Sequence, residues 1–233
     1  MLTAIAGTGI RRGLQRRRVP GRLRVRFRPA PNVQDLVDWL LRMDWLESTG
    51  LLSGLLCVVL LIRQNIWNWP IGLLYSLVSV VVFYRSKLYA DLALHVFYVV
   101  MNGYGWYYWA FGKRAANQTL LPVVHVGVPT GTVLAAVVAA ATAGMGWFLA
   151  THTGAALPYW DSSQTVMSFA AMWMTARKHI ENWLVWLVVD IIATGIYLVK
   201  GIELYAVLYG VYIGMAVAGW LAWRQSMRQG LRL

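Results

Sequence analysis

A duplicated pattern limits the architecture of this chain. The stretch 63–69, RQNIWNW, recurs at 177–183 as RKHIENW, and the pattern YxxMxxxGWxxW occurs at 98–109 and again at 212–223. Both pairs are 114 residues apart, so a whole block has been copied rather than two short motifs. Membrane proteins built from two similar halves are typically transporters.

The composition places this duplicated block in a lipid bilayer. Hydrophobic residues make up 59% of the chain and charged residues 13%, whereas a soluble domain carries roughly 25% charged residues. Stretches of about 17 to 25 apolar residues can cross a bilayer as helices. Seven such spans are predicted, at about 49–64, 67–84, 88–111, 130–151, 161–177, 180–199 and 202–223. The remaining chain is too short for a soluble catalytic domain, so the function is expected between the helices.

The spacing of the copies predicts how the spans are grouped. Residues 49–111 form the first three-helix bundle, 161–224 form the second, and 130–151 form a linker helix between them. Three spans plus the linker shift the second copy by four crossings, which is an even number. The fold class is therefore all-α integral membrane, with seven transmembrane helices in a 3+1+3 arrangement of parallel repeats.

The region before the first span is basic and then amphipathic. Of the 21 Lys and Arg residues, nine lie between Arg11 and Arg28. Residues 1–33 are predicted to be a disordered tail at an anionic membrane surface rather than a nucleic-acid site; a targeting segment and an over-extended gene start are the alternatives. Residues 34–48 are predicted to form an amphipathic interfacial helix, or alternatively a helix that docks on a neighbouring subunit.

Orientation and compartment are less constrained. The Lys and Arg residues of the short loops favour a cytoplasmic C-terminus, whereas the basic tail favours the opposite orientation. The single cysteine, Cys57, excludes a disulfide within the chain and leaves the compartment open.

Asp190 is the most informative polar residue within a span. It lies in the middle of VVDII, where an ionised carboxylate costs at least roughly 2.5 kcal/mol. Because no Lys or Arg lies at comparable depth in any span, a proton, a counter-ion or a cationic ligand is needed to offset that cost. Trp183 and Trp186 lie one turn away on the same side, which suits stacking and cation–π contact with a flat cationic ring.

Other polar and aromatic residues have simpler interpretations. Asn65, Ser76 and Ser79 are of the type that hydrogen-bonds neighbouring membrane helices. Trp109, Trp160 and Trp223, near the span ends, are predicted to form an aromatic belt at the headgroup level.

Four motifs carry a resemblance to a known family. NIWNWPIG at 65–72, KLYAD at 87–91, NGYGWYYW at 102–109 and RKxxENWxxWxxxD at 177–190 resemble the PnuC family of nicotinamide riboside transporters, over about residues 40–225. The resemblance implies a SWEET-like 3+1+3 fold, a homotrimer in the bacterial cytoplasmic membrane, and facilitated diffusion of a vitamin through one central site. It implies no catalytic residue, no metal and no cofactor.

The resemblance also implies which residues contact the substrate. The matching positions are Asn68, Trp69, Tyr98, Asn102, Asn182, Trp183, Trp186, Asp190 and Tyr212. One position departs from the family, since Met172 stands where the family has a glutamine. Because relatives are assigned to thiamine and riboflavin, the substrate is left open between nicotinamide riboside and another B vitamin.

Two other functions compete with a simple uniporter. A proton- or sodium-coupled carrier would use Asp190. A membrane enzyme would use Asp91, His95 and Asp190 as acid and base, although Asp91 and His95 correspond to tyrosines in the second copy. The sequence has no Gly-x-x-x-x-Gly-Lys-Ser/Thr loop, so ATP hydrolysis is not expected.

Overall fold

A computed structural model describes residues 45–85, 89–112, 121–199, 201 and 203–230, together with the isolated helical positions 34 and 38. It contains seven α-helices: α1 (Trp45–Ile62), α2 (Asn68–Arg85), α3 (Tyr89–Phe111), α4 (Val128–His152), α5 (Pro158–Ala176), α6 (Asn182–Val199) and α7 (Glu203–Gly230). The seven predicted helices are confirmed. The predicted basic tail and most of the predicted amphipathic helix at 34–48 lie outside the described residues.

Three of the described helical stretches are long and apolar enough to cross a membrane by length and composition: Val128–His152, Asn182–Val199 and Tyr205–Gln229. Leu51–Ile62 in α1 is a shorter apolar stretch. The helices α2, α3 and α5 do not meet this criterion because they carry polar residues, such as Asn102 in α3 and Gln164 in α5, that lower their mean hydropathy.

We call α1–α3 the first half and α5–α7 the second half. Within the halves α2 packs on α3 as α6 packs on α7, and α1 packs on α2 as α5 packs on α6. Between the halves α3 packs on α5 and α1 packs on α7. In both contacts the third helix of one half packs on the first helix of the other half. Outside both halves, α4 packs mainly on α5.

The loops that precede α2 and α6 have the same backbone conformation. Gln64 and Lys178 occupy equivalent positions, and both adopt the left-handed region, with φ of 52° and 55°. In each loop the N–H of this residue donates to a helix carbonyl three residues earlier, Leu61 at 2.9 Å and Thr175 at 3.1 Å. The left-handed conformation costs about 1–2 kcal/mol for a residue other than glycine. The duplicated sequence therefore encodes the same strained turn twice.

A tryptophan packed on a glycine follows each loop. A Cβ atom added to Gly105 would lie 2.3 Å from the Trp69 ring, and one added to Gly219 would lie 2.4 Å from the Trp183 ring. Both rings are buried, with 1% and 2% of their surface exposed. The glycines of the duplicated pattern are thus required by close helix packing on these tryptophans.

The two halves are joined by a second tryptophan pair. The Trp109 indole N–H donates to the carbonyl of Ala176 at 3.1 Å, and the Trp223 indole N–H donates to the carbonyl of Leu61 at 3.1 Å. Each bond therefore runs from one half to the other. The belt prediction is wrong for Trp109 and Trp223, which are 4% and 0% exposed, because their N–H groups bond protein carbonyls instead of lipid headgroups. Trp160 is 55% exposed.

Residues 121–127, which lead into α4, lie along the loop before α6. The Val124 N–H donates to the Lys178 carbonyl at 3.1 Å, and the Val124 carbonyl accepts from the Ile180 N–H at 2.9 Å. The Glu181 carboxylate accepts a backbone N–H of the same segment at 2.9 Å. We call residues 121–127 the linker strap, because these bonds fasten the loop of the second half to the chain that enters α4.

Candidate substrate site

A cavity of about 400 Å³ lies between the two halves. Its wall is built from α1, α2 and α3 of the first half, from α5, α6 and α7 of the second half, and from Met145 of α4. The volume falls in the range of small-molecule sites, and the lining is mainly apolar with a few polar groups, as is usual for such sites.

Most of the residues predicted from the sequence line this cavity. Those on its wall are Asn68, Trp69, Tyr98, Asn102, Trp183, Trp186, Asp190 and Tyr212. They come from four different helices, α2, α3, α6 and α7, so the fold brings together side chains that are far apart in the sequence.

Asn182 is the predicted site residue that the structure does not place on the cavity wall. It is 0% exposed, and its amide N–H donates to the His179 carbonyl at 2.6 Å. Its amide oxygen lies 3.2 Å from the Thr175 hydroxyl, whose single proton is shared between this oxygen and the Ala171 carbonyl at 2.8 Å. The same hydroxyl accepts from the Trp186 indole N–H at 3.2 Å. The structure therefore places Asn182 beside Thr175 and off the cavity wall, and its contact with a substrate stays a prediction.

The equivalent asparagine of the first half, Asn68, is placed differently. Its amide N–H makes the same loop contact, with the Asn65 carbonyl at 2.7 Å. However, the positions equivalent to Thr175 and Trp186 are Leu61 and Gly72, which offer neither a hydroxyl nor an indole. Asn68 lines the cavity, so of the two equivalent amides only this one faces the space where a ligand fits.

One turn further along α2 and α6, the two halves place their large and small residues on opposite helices. In the first half Asn102 fills the space above Gly72, where an added Cβ would lie 2.4 Å from its amide oxygen. In the second half the equivalent positions are Ala216 and Trp186. The Asn102 amide N–H donates to the Tyr98 carbonyl at 2.8 Å. Consequently the first half contributes an amide to the cavity wall, from α3, while the second half contributes an indole, from α6.

The wall also contains a carboxylate. Asp190 is 7% exposed and lines the cavity. Its equivalent in the first half is Ser76, whose hydroxyl donates within its own helix to the Gly72 carbonyl at 2.7 Å. In the described part of the chain the residues within salt-bridge distance of each other are His125 and Glu181, and Asp190 has no such partner. A carboxylate so placed favours a cationic ligand.

A stripe of mostly polar residues on α5 was not predicted from the sequence, apart from the position of Met172. Asp161, Gln164, Ser168, Met172 and Thr175 all line the cavity. They are spaced by three or four residues, so they share one face of the helix. That spacing was the signal that could have identified the stripe.

His95 does not join the cavity wall. It is 0% exposed and packs between aromatic rings, with centroid distances of 4.9 Å to Phe83 and 5.6 Å to Tyr98. The side chain of Asp91 lies outside the described residues. Among the described residues, His95 and Asp190 are therefore not gathered around this cavity as an acid and base pair.

Known proteins match most of this chain. Residues 44–225 match the family described as nicotinamide mononucleotide transporter. The nicotinamide riboside transporter PnuC of Escherichia coli (strain K12) is 29% identical, over 80% of this chain and 88% of the relative. The riboflavin/roseoflavin transporter RibM of Streptomyces davaonensis is 26% identical, over 81% of this chain and 88% of the relative.

A solved structure has the same fold. The crystal structure of the vitamin B3 transporter PnuC superposes with a TM-score of 0.66 at 25% sequence identity, covering 83% of this chain and 86% of the other. These relatives are transporters, not enzymes. From the extent of the family match, which exceeds half of its length, the chain belongs to the PnuC family of integral membrane transporters, described as nicotinamide mononucleotide transporters.

Proposed function

We propose that this protein transports nicotinamide riboside across a bacterial cytoplasmic membrane by facilitated diffusion, through alternating access to the single cavity between its halves. The observation that carries the proposal is Asp190, a nearly buried carboxylate that shares a mainly apolar wall with aromatic rings and amides. The other carboxylate of the wall, Asp161, is less buried. Nicotinamide riboside pairs a flat pyridinium cation with a ribose, so it presents a charge, a π-face and hydroxyl groups together.

Each of these ligand features has a counterpart on the wall. The indole of Trp186 is held by its bond to Thr175 and offers a stacking surface to the pyridinium ring. Asp190 offsets the positive charge of that ring. Asn68 and Asn102, on the opposite half, supply amides for the ribose hydroxyls or the carboxamide.

We propose further that the halves are parallel repeats in a 3+1+3 arrangement, related by an axis along the membrane normal. The exchanged helix contacts, α3 with α5 and α1 with α7, support this arrangement. So do the crossed bonds from Trp109 and Trp223 to the opposite halves. Rocking of one half against the other around this axis would expose the cavity to each side of the membrane in turn.

Riboflavin is the second candidate substrate. It is favoured by the relative from Streptomyces davaonensis and by Met172, which gives the wall a thioether where an amide is expected. Riboflavin is neutral, however, so it leaves the charge of Asp190 without a partner. Thiamine, a third aromatic vitamin, is a cation and would provide a partner for the charge of Asp190.

A binding comparison tests the proposal. Purified protein in detergent is titrated with nicotinamide riboside, thiamine, riboflavin and nicotinamide, with isothermal titration calorimetry as the readout. We expect nicotinamide riboside to bind tightest, and nicotinamide, which lacks both the ribose and the charge, to bind at least about tenfold more weakly. Tighter binding of riboflavin would replace the proposed substrate, and equal binding of nicotinamide would remove the role of the charge.

Uptake into proteoliposomes tests the mechanism. With the membrane potential clamped at zero, facilitated diffusion predicts that internal and external substrate reach equal concentrations, with or without a proton or sodium gradient. Accumulation driven by either gradient would instead identify an ion-coupled carrier, with Asp190 as the candidate coupling residue. We also propose a homotrimer, and native mass spectrometry of the detergent-solubilised protein distinguishes it from a monomer or dimer.

A further inference from the structure

At the end of the cavity where the two equivalent loops meet, buried tryptophans lie between the cavity and the loops. Trp69 and Trp183 line this end of the cavity. Trp109 and Trp223 pack edge-on against them, with centroid distances of 5.4 Å and 5.5 Å, and do not line the cavity themselves. Two layers of tryptophan, each with one ring from either half, thus lie between the cavity and the loops.

Lys178 lies directly beyond the second tryptophan layer. Its ammonium group is 4.4 Å from the centroid of the Trp109 ring and 6.0 Å from that of the Trp223 ring. The side chain is 1% exposed, although its position in a loop predicts a solvated charge. An ammonium group so far from water must be held by hydrogen-bond acceptors.

One of these acceptors belongs to the other half. The Lys178 ammonium donates to the side-chain oxygen of Gln64 at 2.8 Å and to the carbonyl of Leu121 at 2.8 Å. Gln64 is the residue equivalent to Lys178 in the duplicated sequence, and it is 9% exposed. The two equivalent residues, both in the left-handed conformation, therefore bond each other across the boundary between the halves.

We propose that the Lys178–Gln64 bond is the latch of the transport gate at this end of the cavity. The inference rests on the alternating access in the proposed function, which requires the halves to separate at each end in turn. At this end they cannot separate without breaking the bond between Lys178 and Gln64.

The two sides of the latch are held differently. Lys178 is fastened by the linker strap, since its backbone carbonyl accepts from the Val124 N–H and its ammonium bonds the Leu121 carbonyl. The ammonium therefore keeps the Leu121 carbonyl and the face of Trp109 when Gln64 leaves. The loop of the first half moves away, and the positive charge stays with the second half and the strap.

The native Cys57 provides the probe for this gate. It is the only cysteine of the chain and it lines the cavity. The full chain in right-side-out and inverted membrane vesicles is treated with a membrane-impermeant methanethiosulfonate reagent, and the labelling rate of Cys57 is measured from each side. An Arg63→Cys variant in a Cys57→Ser background identifies the side on which the loops lie, because Arg63 is exposed next to the latch.

The expected result is slow labelling of wild-type Cys57 from the loop side. Gln64→Ala and Lys178→Met should each raise that rate at least about tenfold, the effect of losing one hydrogen bond to a charged group. Gln64→Glu places a carboxylate opposite the ammonium and should lower both the loop-side labelling rate and the rate of transport. Arg63→Ala, the neighbouring exposed cation, should leave the labelling rate at the wild-type value.

The proposal is overturned if both Gln64→Ala and Gln64→Glu, folded by size-exclusion chromatography, label from the loop side at the wild-type rate. It is also overturned if Arg63→Ala raises labelling as much as Gln64→Ala. No substrate is present in the labelling assay, so a failure here does not affect the choice of nicotinamide riboside. Conversely, a different substrate would leave the labelling result unchanged.

Discussion

Trp69 and Trp183 are equivalent residues of the two halves. Trp69 packs on Gly105 and Trp183 packs on the equivalent Gly219, and both rings are almost completely buried. One turn further along α2 and α6 the two halves have Gly72 and Trp186, and after one more turn Ser76 and Asp190. The first pair determines how α2 packs on α3 and how α6 packs on α7. All three pairs line the cavity, but only the later two differ between the halves.

The comparison separates two kinds of constraint on a duplicated transporter. Residues that pack one helix on another keep the same identity in both copies, because each half needs the same contact. Some cavity-wall pairs, Trp69 with Trp183 and Tyr98 with Tyr212, also keep their identity. Other wall pairs differ, and a ligand without two-fold symmetry needs such different partners on its two sides. The exchange of Gly72 and Asn102 for Trp186 and Ala216 keeps the space filled while placing an amide on one side and an indole on the other.

The largest effect on binding is expected at the most divergent pair, Ser76 and Asp190. Asp190→Asn keeps the shape of the side chain and removes its charge. Because two unit charges near 4 Å attract by about 4 kcal/mol at the dielectric typical of a protein surface, the affinity for nicotinamide riboside should fall by at least about tenfold. Calorimetric titration of the purified variant measures this change.

Ser76→Ala is the matched variant in the first half. The Ser76 hydroxyl donates to the carbonyl of Gly72 in its own helix, so its loss should change the affinity by less than about threefold. Similar losses in the two variants would mean that the carboxylate does not distinguish the halves.

The next largest effect is expected on stability, and it should be equal in the two halves. Gly105→Ala and Gly219→Ala each place a methyl group within 2.4 Å of a buried tryptophan ring. Overpacking of this kind typically costs about 1–3 kcal/mol. The melting temperature of each variant in detergent should fall by a similar amount.

Gly103→Ala and Gly214→Ala are the controls for this pair. Both glycines are helical and have nothing within 4 Å of an added Cβ. Removing the backbone freedom of glycine there should stabilise the fold by about 0.5–1 kcal/mol. A much larger loss at Gly219 than at Gly105 would contradict the equal packing of the two halves.

The fold was predictable from the sequence to a greater extent than the site. Hydropathy and the 114-residue spacing located all seven helices, because apolar length and repetition are local properties of the chain. The burial of Lys178 was not predictable in this way. It depends on Gln64, Leu121 and two tryptophan rings that only the folded chain brings together.

Equivalence in sequence does not extend to the surroundings of two predicted site residues. Asn68 and Asn182 occupy the same position of the duplicated pattern, so both are expected to contact the substrate. In the structure the Thr175 hydroxyl lies 3.2 Å from the amide oxygen of Asn182, whereas Leu61 at the equivalent position has no hydroxyl. Of the two identical residues, Asn68 is the one that lines the cavity.

The smallest effect is expected from that hydroxyl. Thr175→Val keeps the size of the side chain but removes the partner of both Asn182 and the Trp186 indole. A neutral hydrogen bond contributes about 0.5–1.5 kcal/mol, so the affinity for nicotinamide riboside should fall by about 2- to 10-fold through the loss of order in Trp186. Thr175→Ser keeps the hydroxyl and should bind as the wild type does. If Val and Ser variants bind equally well, the hydroxyl does not orient Trp186, and the difference between Asn68 and Asn182 would have no effect on binding.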